Sequence, residues 1–142
     1  MAAAGYFFED LTVGMTAQLT HTVRAEDISA FAALSGDDNP VHLDEEYASK
    51  TLFKGRIAHG LMTASYISAV VGTRLPGPGC IYVSQTLNFK APVRIGDVVE
   101  TRATITDLIP EKRRAILACV CAVAGKTVLE GQAVMMVPAR AT

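Results

Sequence analysis

Seven residues, Gly36-Asp37-Asp38-Asn39-Pro40-Val41-His42, put two carboxylates, an Asn-Pro pair and an imidazole into one short stretch. A carboxylate and an imidazole that face the same reacting group can hold a water, take a proton from it and return one, which is the working requirement of general acid–base chemistry. Asp37 and His42 lie five positions apart, so no single helix face presents both. A chain folded back at Asn39-Pro40 brings them to one pocket. The same residue types also make ordinary turns, because Asp and Asn bond their own backbone and Pro presets φ. Spacing alone leaves the dyad and the turn both open. Asp38 reads as exposed, and His21, in an alternating segment with no acidic partner, reads as structural or exposed.

A second stretch, Ile57-Ala-His-Gly-Leu-Met-Thr-Ala-Ser65, sets a His-Gly pair directly before an apolar helical run. The first amides of a helix have no intrahelical partner, and with the positive end of the dipole they favour an anion or a developing oxyanion. Gly60 lets a carbonyl approach closely because no Cβ intervenes. The alternative is that Gly60 only permits close packing at a helix start and that His59 fills a turn.

The elements that must position these groups follow from periodicity. TAQLTHTV (16–23) alternates like a strand, and AEDISAFAAL (25–34) places Ile28, Phe31, Ala32 and Leu34 on a helical stripe. Gly36 fits the residue that ends that helix, and Pro40 prevents its continuation through DDNPV. LDEEYASK (43–50) reads as a short helix capped by Asp44, and HGLMTASYISAVVGTRL (59–75) as a helix buried almost all round. From Cys80 onward IYVSQTLNFKAPV, DVVETRATITDLI, RRAILACVCAVAG and KTVLEGQAVMMVP read as four strands in an antiparallel meander. The whole is an α+β architecture in one domain, 1–142, a sheet wrapped around a central helix.

With 50% hydrophobic and 19% charged residues, the chain carries more apolar surface than its 142 residues require, which implies a subunit interface. Thirteen basic against 14 acidic residues leave no footprint for a nucleic-acid backbone. The start has no basic leader, and LMTASYISAVVG (61–72) is too short and too hydroxylated to span a bilayer, so we expect a cytoplasmic protein without a membrane partner. Cys80, Cys119 and Cys121 lack zinc-site spacing and read as reduced thiols; no metal is expected.

The stretch FAALSGDDNPVHLDEEYA (31–48) resembles the signature of the MaoC-like (R)-specific enoyl-CoA hydratases and (R)-3-hydroxyacyl-CoA dehydratases. Phe31, Ser35, Gly36, Asp37, Asn39, Pro40, Val41, His42 and Ala48 fill its places without a gap, and the likeness runs on through IAHG, SYISAVVG and GPGCIYVSQTLNFKAPVRIGD. The resemblance implies a hot-dog fold, one per chain, whose antiparallel sheet wraps a long central helix over 60–74 and joins the sheet of a second subunit in a homodimer. It implies an acyl-CoA substrate in a tunnel at the dimer interface and reversible syn addition of water to a trans-2-enoyl-CoA, giving an (R)-3-hydroxyacyl-CoA. Carried over by position, Asp37 and His42 are the catalytic dyad, Gly60 the backbone donor to the thioester oxygen and Ser68 a supporting polar residue; Asn39 reads as a turn residue rather than a catalyst, with positioning of the dyad as its supporting part. No cofactor beyond the substrate's coenzyme A is implied.

A short acyl chain, crotonyl-CoA and (R)-3-hydroxybutyryl-CoA, is expected, with Met62, Tyr66 or Val70 bounding the pocket, in polyhydroxyalkanoate supply or acetyl-CoA assimilation. Lys54, Arg56, Lys90, Arg94 and Lys112-Arg113-Arg114 are candidates for the coenzyme A phosphates, the last three in a solvated hairpin turn. Two other readings share the fold: an acyl-CoA thioesterase, and a non-catalytic partner subunit. Neither is expected to keep both Asp37 and His42 in this frame.

Overall fold

The charge-free run from Gly60 to Thr73 is the helix around which the other elements are laid. In the computed structural model, which describes residues 5–140, this helix packs against the inner face of one antiparallel sheet. In chain order the elements are β1 (Thr16–Thr22), α1 (Ala25–Ser35), α2 (Pro40–Leu43), α3 (Glu45–Ser49), α4 (Gly60–Thr73), β2 (Ile81–Gln85), β3 (Asn88–Phe89), β4 (Val98–Ile109), β5 (Arg114–Val123) and β6 (Lys126–Met136). The sheet runs β1-β4-β5-β6-β2, with β3 also on β6. This is the hot-dog arrangement, a curved sheet holding one central helix.

The core forms because two periodicities meet. Along β4 and β5, Val99, Thr101, Ala103 and Ile105, then Ala115, Leu117, Cys119 and Cys121, are buried at every second position. From α4, Met62, Thr63, Tyr66, Ile67, Val70 and Val71 supply the facing stripe. The helix is not buried all round, contrary to the sequence reading. Leu61, Ser65 and Ser68 form a second stripe that stays exposed in the single chain, Leu61 at 61%. Leu34 also departs from expectation: Ile28 and Ala32 are buried and Phe31 half-buried, but Leu34 falls beyond the edge of that stripe and is 85% exposed.

The expected four-strand meander is corrected to three strands, β4-β5-β6. The segment 80–93 is two strands, β2 and β3, and both pair with β6 instead of with β4, their neighbour in sequence. Gly131 in β6 is the physical reason for the break. A Cβ built there would lie 1.8 Å from the Thr86 carbonyl oxygen, so only a glycine lets the chain cross at this point. The crossing is pinned on both sides: the Thr86 amide donates to Gln132 O at 2.9 Å, and the Gln132 amide to Thr86 Oγ1 at 2.9 Å.

His21, on β1, stacks on Tyr66 of α4 with ring centroids 4.1 Å apart, a packing role as the sequence implied. Burial pushes the Cys119 thiol up to about 11 and raises Cys121 and Cys80 as well, so none is a ready nucleophile at neutral pH. Among the described residues no helix is long and apolar enough to cross a membrane.

The crossing at Gly131 gives a direct test. Gly131→Ala must displace backbone, not a flexible side chain, and is expected to destabilise the fold by at least about 2 kcal/mol in urea denaturation. Gly125→Ala, at a turn glycine with open space around it, tests only the local φ of 80° and should cost less.

Candidate active site

The stretch that opened the sequence question folds as a turn and lines a cleft at the same time. Helix α1 stops because Gly36 takes a left-handed conformation, φ 84°, with its amide on Ala32 O at 2.9 Å. From there side chains and amides alternate. Ser35 Oγ donates to Phe31 O at 2.7 Å and accepts from the Asp37 amide at 3.1 Å; Asp37 Oδ1 accepts from the Asn39 amide at 3.2 Å; Asn39 Oδ1 accepts from the Val41 amide at 3.1 Å. Each of the three amide bonds reaches two residues on, the geometry in which Asx and Ser side chains replace backbone partners. Asn39 is thereby the N-cap of α2, with Pro40 in its first turn, and His42 lands on that single helical turn.

Asp37 is exposed at the mouth and His42 is 8% exposed beneath it. The His42 ring is aimed from behind: its Nδ1–H donates to Ile57 O at 2.8 Å, which leaves Nε2 as the nitrogen that faces the cleft chemistry. Arg56 Nε donates to His42 O at 2.7 Å, so this arginine, a candidate for coenzyme A phosphate from sequence, braces the dyad's backbone. The Asp37 carboxylate and the ring nitrogens of His42 and His59 all lie within 4.8 Å of one another. The two imidazoles stack with planes 25° apart, so their in-plane lone pairs run side by side instead of meeting at one point.

Gly60 closes the same cleft. It is the first residue of α4, exposed, and the Met62 and Thr63 amides already return to His59 O, so the helix amides left over are those of Gly60 and Leu61, two residues that line the cleft with Asp37 and His42. A cleft of about 480 Å³ is lined by Phe31, Ser35, Asp37, His42, His59 and Gly60, with Leu61 and Phe89 at its side. The Phe89 ring covers Gly60, since a Cβ there would meet Phe89 Cε1 at 2.7 Å. Beyond that ring lies an apolar cavity of about 370 Å³, lined among others by Ile57, Thr63, Val93 and Leu129, with Lys90 at its edge.

Asp37, His42 and Gly60 are thus brought together, with Asn39 capping the turn behind them, whereas Ser68 is not: it stands on the exposed stripe of α4, outside this cleft in the single chain. The three residues expected to bound an acyl pocket also separate. Met62 and Tyr66 line a different cleft with His21 and Phe31, and Val70 is wholly buried in the core. Among the other cations, Arg94 binds Phe53 O, Lys90 lies 3.9 Å from Glu130, and Arg114 begins β5 with its Nε buried, so it does not belong to a solvated loop.

His59, which the sequence offered only as a turn filler beside Gly60, has a larger part in the geometry than that reading gave it. It is 2% exposed, its Nε2–H donates to the Asp37 backbone carbonyl at 2.9 Å, and its ring stacks on His42 at 3.8 Å between centroids. The only signal in the chain is its place beside Gly60.

The N-cap yields a test. Asn39→Ala leaves the Val41 amide without its partner and is expected to cost about 1 kcal/mol in chemical denaturation. Asn39→Asp, which keeps an accepting oxygen, should recover most of that loss.

Comparison with known proteins finds the following matches. The family described as MaoC like domain matches residues 11–130. A 3-hydroxybutyryl-CoA dehydratase of Methylorubrum extorquens is 57% identical over 132 residues, 93% of this chain and 84% of that protein. An (R)-specific enoyl-CoA hydratase of Rhodospirillum rubrum is 56% identical over 135 residues, 95% of this chain and 94% of that protein. Among solved structures, the unliganded R-hydratase PhaJ1 of Pseudomonas aeruginosa superposes with a TM-score of 0.91 at 43% identity, covering 96% of this chain and 88% of that one.

Proposed function

The chain belongs to the MaoC-like domain family, and on that premise we propose that it is an (R)-specific enoyl-CoA hydratase, working reversibly as a 3-hydroxyacyl-CoA dehydratase on short chains such as crotonyl-CoA and (R)-3-hydroxybutyryl-CoA. The observation that carries the reading is the meeting of Asp37, His42 and the amide end of α4 in one cleft, supported by what the relatives are named.

Each group has a physical task in this reading. Water is a poor nucleophile, and the α-carbon accepts a proton only as a thioester enolate collapses, so a base and an acid must stand on the same side of the double bond. Asp37 and His42 share those roles around one water, with the Nε2 of His42 turned inward by the Nδ1–H bond to Ile57 O. Gly60 N donates to the thioester oxygen, where charge develops in the enolate-like transition state; a donor of that kind is typically worth about 3 kcal/mol. The exposed Phe89 ring over Gly60 must yield to let the thioester reach the amide. The proposed chemistry draws on no metal and on no cofactor apart from the coenzyme A of the substrate.

The partner in this proposal is a second copy of the chain. β2 is the uncharged end of the sheet, and Ile81, Tyr82 and Val83 along it are 55%, 38% and 41% exposed. A bare apolar edge is normally blunted by charge or covered, and pairing two β2 edges across a two-fold axis covers both. The exposed stripe of Leu61, Ser65 and Ser68 belongs to the same set of surfaces awaiting cover, and a supporting role for Ser68 depends on it. Sedimentation velocity should report a dimer for the native chain and a shift toward monomer for Ile81→Lys; a monomeric native chain contradicts this part of the reading.

The activity itself is tested by mixing protein with crotonyl-CoA and following loss of the conjugated thioester absorbance, with a thiol reagent to detect free coenzyme A. Hydration without thiol release is expected. Asp37→Asn and His42→Ala should each lower the rate by roughly 10²- to 10⁴-fold with folding retained. Thiol release without hydration would make the chain a thioesterase and leave the GDDNPVH segment a turn only.

A further inference from the structure

We propose that His59 is the positioning residue of this site: it holds the main chain of Asp37 through Nε2–H, supports the ring of His42 by stacking, and so keeps the carboxylate, the imidazole and the Gly60 amide in one fixed relation. As a statement about catalysis, the proposal rests on the hydratase reading above. Three separately encoded parts converge on this one side chain. The loop after α1 meets it at the Asp37 carbonyl, 2.9 Å away; α2 meets it through the His42 ring, 3.8 Å between centroids; and α4 begins immediately after it, with His59 as its N-cap residue. Phe31 closes the remaining side at 4.8 Å between centroids, tilted by 55°, so the ring has one orientation.

The hydrogen-bond chemistry separates positioning from filling. A backbone carbonyl only accepts, so Nε2 of His59 carries the hydrogen, while its Nδ1 is buried with no partner among the described residues. His21 also buries an unpartnered Nδ1, but it only packs on Tyr66; what sets His59 apart is the donor that it supplies to the Asp37 carbonyl, and a ring present to give a donor at one point brings its second nitrogen with it. The two histidines therefore use opposite nitrogens as donors: Nδ1 of His42 to Ile57 O and Nε2 of His59 to Asp37 O. The stack leaves the outer nitrogen of His42 and the carboxylate of Asp37 as the pair that reaches a bound water. In this arrangement His59 touches no reacting atom and acts through both residues that do.

The test combines a readout that needs no activity with one that does. Imidazole nitrogen NMR of the native protein should show His59 as the Nε2–H form and His42 as the Nδ1–H form; in folded His59→Phe, which keeps a ring in the stack but loses the donor, the His42 signals should move and broaden. In the same variant kcat for crotonyl-CoA should fall on the order of 10²-fold, with KM changed less than about threefold, because binding is spared and transition-state geometry is not. His59→Gln, which restores an N–H, should recover most of the loss. The double variant of Asp37→Asn with His59→Phe should be no slower than Asp37→Asn alone, since both act on one unit. Unmoved His42 signals, a native kcat in His59→Phe, or losses that simply multiply in the double variant would overturn the proposal. If the native protein hydrates no enoyl-CoA, the hydratase reading fails, and the nitrogen spectra alone decide whether His59 holds the pair.

Discussion

The site depends on a turn stiff enough to hold two side chains five residues apart against one point, while one of them stays exposed to a ligand. A stretch of Gly, Asp, Asp, Asn and Pro is ordinarily mobile. Here the side chains of Ser35, Asp37 and Asn39 take the amides of residues 37, 39 and 41 in succession, so the loop supplies its own backbone partners. This uses only one oxygen of the Asp37 carboxylate and none of the imidazole of His42. The bonds that shape the turn leave the chemistry free.

That turn is steadied from outside by the segment 56–59, and the segment in turn by the core. Ile57 O holds the His42 ring, Arg56 holds the His42 carbonyl, His59 holds the Asp37 carbonyl, and the Ala58 amide is tied to Val93 O at 2.7 Å. The next residue, Gly60, opens the helix whose buried stripe fills the sheet. Orientation of the dyad and placement of the amide end of α4 are therefore consequences of the same few residues. A rigid element carries the proposed oxyanion donor and a braced loop the proposed dyad, a division that suits a reaction in which the developing charge and the moving protons sit at different atoms of one substrate.

Much of this could be read from the chain. Asp37, His42 and Gly60 stood out because their types, a Pro-bounded turn and a helix start all have local signatures, and the helix over 59–75 and the strand-rich second half followed from periodicity. What escaped had no local signature. The break in the strand at Thr86 is dictated by Gly131, 45 residues away in sequence, and a glycine in a strand does not announce what crosses it. His59 acts on a backbone carbonyl 22 residues earlier, and any residue could own that carbonyl. Leu34 and the outer stripe of α4 carry apolar or neutral residues whose exposure depends on what lies opposite, and for α4 the proposed answer is another copy of the chain. Arg56 shows the same limit: its charge can be read from sequence, but the bond of its Nε to the His42 carbonyl cannot.

In the proposed reaction, water is added across one face of the double bond by a carboxylate and an imidazole standing together. Hydration of crotonyl-CoA in D2O tests it most directly, with the product's configuration at both carbons read by NMR after chiral derivatisation. The account predicts a single diastereomer, (R) at the hydroxyl-bearing carbon, with deuterium delivered to the same face as the hydroxyl. Deuterium on the opposite face, or scrambled between faces in the initial product, would mean that Asp37 and His42 do not act as one pair on one side of the substrate.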